Sequence, residues 1–118
     1  MKYQIVEDGD LLLIKISGKA RKNEALLAKR LLSHYITEKG TRVIFNLKEL
    51  EDFEPTTLLG VLNGIKKEIG FLRAGLKLCS LSSEMLNYFG ENRLDQIFQI
   101  HEDEEMAKNS GWKDYGKR

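Results

Sequence analysis

Cysteine, proline and tryptophan each occur once among the 118 residues, and histidine twice. A lone thiol, Cys79, excludes an internal disulfide and suits a reducing compartment. His34 and His101 stand far apart, neither with a second histidine or a cysteine at ligand spacing, so no metal or cofactor is expected. Nothing approaches the roughly 20 apolar residues of a membrane helix. The opening Met1-Lys2-Tyr3-Gln4 lacks the apolar core of a signal peptide, which makes the cytoplasm the expected location. Charge of one sign is missing as well: 19 basic against 18 acidic residues leave +1. A chain so balanced has no net field to draw nucleic acid or an anionic membrane. Also absent are a Gly-x-Gly-x-x-Gly turn, a Walker loop and a Gly-x-Ser-x-Gly elbow, the signatures of nucleotide binding and serine hydrolysis. No repeat or linker interrupts the chain, whose length suits one domain burying about two thirds of its unfolded surface.

What is present alternates strands with helices. Tyr3–Val6, the turn chemistry of Glu7-Asp8-Gly9-Asp10 and Leu11–Ile16 predict a hairpin. After Gly18 and a basic stretch, Asn23 suits the N-cap of a helix carrying Leu27, Leu31 and Tyr35, ended by Gly40. Val43–Leu47 reads as a core strand, and Leu58, Leu62, Ile65, Ile69 and Leu72 line one face of a helix opening at Pro55. Leu76–Cys79 is a fourth strand, Ser82 caps a short helix carrying Leu86 and Phe89 and ended by Gly90, and Gln96–Ile100 alternates as a fifth. Glu102–Glu105 crowd the first turn of a last helix, as the macrodipole favours. The order β-β-α-β-α-β-α-β-α predicts an α/β fold: a mixed sheet of four to five strands with about four helices packed on it. Residues 1–110 form the domain, and 111–118 read as a loosely ordered tail unless Trp112 docks.

The most informative stretch is 42–72. Pro55 suits the first helical position, with Phe53 and Leu58 spaced as a hydrophobic staple. Thr56 and Thr57 then fall in the first turn, where unpaired N–H groups and the helix dipole stabilise a phosphate. Two uses of these hydroxyls stay open: capping alone, or accepting a phosphate at Thr56 or Thr57. Glu49, Glu51, Asp52 and Glu54 read as a solvated rim, and Cys79 as core packing.

Element order and this stretch resemble the STAS domain, in particular the small single-domain anti-sigma factor antagonists of bacteria. Val43-Ile44-Phe45-Asn46-Leu47-Lys48-Glu49-Leu50 is similar to the family's apolar strand followed by Asn-Leu-x-x-Leu. Glu54-Pro55-Thr56-Thr57-Leu58 stands at the place of its Asp-Ser-Ser-Gly-Leu, with Pro55 for the first serine and Thr57 for the glycine. Leu76–Ser82 and Leu94–Phe98 are similar to the fourth strand with its exit and to the approach to the last strand.

The resemblance implies a transcription regulator and no enzyme. Its partners are a serine/threonine kinase that doubles as anti-sigma factor, and a phosphatase. Thr56 holds the phosphoacceptor position and Glu54 the preceding acid. Lys19, Arg21 and Lys22 stand where family members often carry an acid; such a basic rim suits an acidic partner or the phosphate itself. The partner surface expected from this likeness joins Glu54, Pro55 and Leu59 to Lys19, Arg21, Lys22 and Asn23, with Leu81 as further apolar area. Two alternatives are an unphosphorylated STAS scaffold of a regulatory or lipid-transport assembly, and a small α/β enzyme or ligand carrier.

Overall fold

A strand covered on both faces has to be apolar throughout, and the centre of this sheet is built from one. In β3 (Arg42–Asn46), Val43, Ile44 and Phe45 are all fully buried. Val43 and Phe45 enter the main core, whereas Ile44 joins a smaller cluster on the opposite face. The computed structural model describes residues 2–9, 11–20, 30, 42–53, 58–60, 62, 63, 66 and 75–112, with the backbone alone at 20, 52 and 53.

β1 (Lys2–Asp8) and β2 (Leu11–Ala20) form the expected hairpin, turning at Gly9, whose φ of +62° costs glycine little. Leu12, Ile14 and Ile16 alternate into the core. β5 (Leu76–Cys79) and β6 (Gln99–His101) complete a sheet of order β1-β2-β3-β5-β6, antiparallel at β1 and parallel elsewhere. A further strand, β4 (Leu50–Phe53), pairs β2 beyond the end of β3. Among the described residues the sheet therefore has six strands where the sequence suggested four or five. The acidic connection Glu49–Glu54 concealed β4: solvated carboxylates mask a strand with only a few apolar residues.

Helix α1 (Ser83–Glu91) starts as expected, with the Ser82 hydroxyl accepting the Met85 N–H at 3.2 Å. Its buried face is Met85 and Phe89; Leu86 is 48% exposed, because the fixed start turns position 86 outward. Gly90 does not end it, and the left-handed residue is Arg93 at φ +57°. Residues Leu94–Gln96 wind into a 3-10 turn in which the Leu94 carbonyl accepts the N–H groups of Ile97 and Phe98. The last strand consequently begins at Gln99 and not at Gln96. Helix α2 (Glu104–Asn109) is capped by Asp103 and lays Ala107 on Leu11, Ile44 and Cys79.

Trp112 packs against this second cluster and over Gly75, where an added Cβ would lie 2.5 Å from the ring. Arg30, Leu58–Gly60, Leu62, Asn63 and Lys66 are helical, within the stretches expected to be helices. The rest of both expected helices, and residues 113–118 of the tail, lie outside the described residues.

Candidate functional site

β2 is ten residues long and serves two strands in succession, β3 over Leu11–Lys15 and β4 over Gly18–Ala20. The change is made at Gly18, whose φ of +83° is open to glycine and strained for other residues. The pairing slips register between Gly18 and Lys19, and the Gly18 N–H donates to the Glu49 carbonyl at 3.2 Å. Lys19 is thereby delivered, exposed, to the rim where β2 and β4 end.

The link from β3 to β4 is fixed from inside. The Asn46 side-chain oxygen accepts the Lys48 N–H at 2.9 Å, and its amide donates to the Glu104 carboxylate at 2.7 Å. Leu47 and Leu50 are buried, whereas Lys48, Glu49 and Glu51 are exposed. β4 then runs beside β2 with Lys19 opposite Asp52 and Ala20 opposite Phe53. Glu54–Thr57 connect Phe53 to Leu58, which is buried in the main core with Leu62. Gly60 and Asn63 face solvent.

Of the residues expected at the partner surface, Lys19 is exposed on the rim. Leu59 and Leu81 are half-buried against the main core, so they offer part of their surface only. Glu54, Pro55, Thr56, Thr57, Arg21, Lys22 and Asn23 lie outside the described residues. Beside the rim is an open depression of about 610 Å³, with Lys2, Ser17 and Gly18 on one side and Lys48, Glu49 and Glu51 on the other. Its lysines and glutamates balance, which suits a protein surface better than a site for an ion of one sign.

Catalytic chemistry finds little support in the described residues. Burial pushes the Cys79 thiol up to about 11, against the lowering hydrogen bond of Ser80 and with help from the charges of Glu104 and Asp103. A thiol held neutral is not a nucleophile. Among the described residues no three His, Cys, Asp or Glu side chains gather as a metal site. No described helix is long and apolar enough to cross a membrane.

Two buried ionisable side chains escaped the sequence. Lys77, in an alternating strand, reads as solvent-facing, yet it is fully buried under α2 and donates to the carbonyls of Ala107 and Ser110. Burial, then the charge of Arg42, lowers its pKa. His101, whose Nε2 is buried without a hydrogen-bond partner, is lowered by burial and then by Lys77. For Asn46 a signal existed: an asparagine closing an apolar strand is a turn-former.

No protein-family model and no curated protein matches the sequence. Solved structures do. The anti-sigma factor antagonist SpoIIAA in its unphosphorylated form matches with a TM-score of 0.77 at 17% identity, covering 92% of this chain and 94% of that one. The Bacillus cell fate determinant SpoIIAA in its phosphorylated form gives 0.69 at 17% identity, over 91% and 97%. An anti-sigma-factor antagonist (STAS) domain protein from Planctomyces limnophilus gives 0.65 at 13% identity, over 89% and 93%.

Proposed function

Because this chain has the STAS fold seen in anti-sigma factor antagonists, we propose that it regulates by docking, with a kinase that is also an anti-sigma factor as its partner. Phosphorylation of Thr56 is the switch. The observation that supports this reading is where the described residues before and after the acceptor stretch are held. Ala20 pairs with Phe53, and Leu58 is buried in the core five positions later. The described residues on either side of Glu54–Thr57 are thus both fixed, Phe53 in the sheet and Leu58 in the core, and Lys19, next to Ala20 in β2, is exposed.

A phosphate there adds close to two negative charges at neutral pH. Placed on a surface that another protein must dehydrate, such charge opposes docking by repulsion and desolvation. Lys19, with Arg21 and Lys22, supplies the basic side that meets an acidic partner, and Asn23 adds a polar contact. SpoIIAA, with the same fold, is known in unphosphorylated and phosphorylated forms. A phosphatase would restore docking.

The test is incubation with the candidate serine/threonine kinase and Mg-ATP, followed by peptide mass spectrometry. One phosphate on the peptide containing Thr56, lost in Thr56→Ala, is expected. A kinase that binds the chain yet leaves Thr56 unmodified assigns it to the scaffold class instead.

A further inference from the structure

We propose that the segment from α2 to Trp112 is a strap released by protons: charging His101 detaches it from the outer face of the sheet. Side chains of the sheet hold this segment down. Lys77 donates to the carbonyls of Ala107 and Ser110, and the Gln99 amide donates to that of Gly111 at 3.4 Å. The Trp112 ring lies over Gly75, with its centre 4.2 Å from the Lys77 ammonium and 5.4 Å from the Arg42 guanidinium.

A positive charge thus already sits beneath the strap. Lys77 is fully buried, and its partners are two carbonyls and an aromatic ring, with no carboxylate among them. In the β5–β6 ladder Lys77 lies opposite Gln99 and Cys79 opposite His101, so these four side chains share the face that the strap covers. The Nε2 atom of His101 is buried there without a hydrogen-bond partner. An imidazolium would set a second cation near Lys77 and would bury an N–H with no acceptor. The neutral ring fits beside the strap, and the charged ring does not.

The other ionisable groups around His101, among the described residues, are engaged or exposed. Asp103 accepts the Met106 N–H at 2.9 Å, and Glu104 accepts the Asn46 amide at 2.7 Å. Glu105 pairs with Lys108 at 3.8 Å, while Glu102 and Asp95 of the 3-10 turn face solvent. The Cys79 thiol opposite His101 stays neutral until about pH 11. Burial and then Lys77 hold the His101 ring below its ordinary value, so protons bind the released form more tightly. Glu104 belongs to the strap, and its departure frees Asn46, which fixes the Lys48 N–H beside the rim depression. The device needs no phosphate on Thr56 and is tested without a kinase.

Hydrogen exchange followed by NMR from about pH 8 to about pH 5 reads the strap at the amides of Ala107 and Ser110, which donate to the Asp103 and Met106 carbonyls. The folded value is the lower one, so after correction for intrinsic exchange their protection is expected to be level above pH 6.5 and to fall below it, by up to about tenfold per pH unit. The amides of Ile14 and Phe45 are expected to keep theirs. The imidazole of His101, followed in the same samples, is expected to titrate together with the loss of protection, and Trp112 emission to red-shift with it. His101→Gln, which stays neutral, is expected to flatten the profile, and His34→Gln to leave it in place. Protection that stays level in the wild type overturns the proposal. So does a fall that persists in His101→Gln, one out of step with the His101 titration, or one that spreads equally to Ile14 and Phe45.

Discussion

The ammonium group of Lys77 lies 2.7 Å from the carbonyl oxygen of Ala107, with no exposed surface of its own. It also donates to Ser110 at 3.0 Å and sits 4.2 Å from the centre of the Trp112 ring. One strand residue thus satisfies carbonyls at the end of α2, which a six-residue helix could not do alone. Lys77→Met leaves those acceptors buried and unmet, and is expected to destabilise the fold by about 2 kcal/mol in urea titration. Lys77→Ala adds a cavity and is expected to cost more.

The other end of α2 is held by Asn46 and Glu104. Asn46→Ala should cost about 1–3 kcal/mol, since it frees the Lys48 N–H and the helix together. Asn46→Asp should cost more than Asn46→Ala at neutral pH, because two carboxylates then meet where an amide met one. The gap between these variants is expected to close under acid conditions, and to vanish in a Glu104→Gln background.

Gly75 and Gly90 make a matched pair. A Cβ at Gly75 would collide with Trp112, whereas nothing lies within 4 Å of one at Gly90. Gly75→Ala is therefore expected to red-shift the emission of the single tryptophan and cost about 1–3 kcal/mol. Gly90→Ala should leave emission unchanged and stabilise α1 by about 0.5–1 kcal/mol.

Cys79 links stability to alkaline pH. Its thiol ionises near 9.0 when unfolded and is pushed up to about 11 in the fold by burial. The folded value is the higher one, so its contribution is complete below pH 9 and is lost as pH rises toward 11. Stability measured across that window should fall less steeply in Cys79→Ala. At pH 8 a thiol reagent should label the native protein only as fast as it opens.

Much of the fold was legible in the sequence because burial on one face writes period two into β2 and an apolar run into β3. The Ser82 cap and the strand at Leu76–Cys79 were legible for the same local reasons. β4 was not: three of the residues at Glu49–Asp52 are acidic, and its pairing depends on the positive φ of Gly18 in β2, too far back in the chain for any local pattern to reach. Lys77 was hidden because a lysine at an alternating position reads as solvent-facing, and only the arrival of α2 and Trp112 reverses that. At the candidate site, Lys19 was legible as a rim cation. Leu59 and Leu81 read as exposed contact area, but apolar side chains at a rim are drawn partly into the core.

Calorimetric titration of the kinase with wild-type chain, Thr56→Ala and Thr56→Asp tests the regulatory switch most directly. Wild type and Thr56→Ala are expected to bind alike, and Thr56→Asp to bind at least about tenfold more weakly while melting at the same temperature. Equal affinity of all three would contradict it.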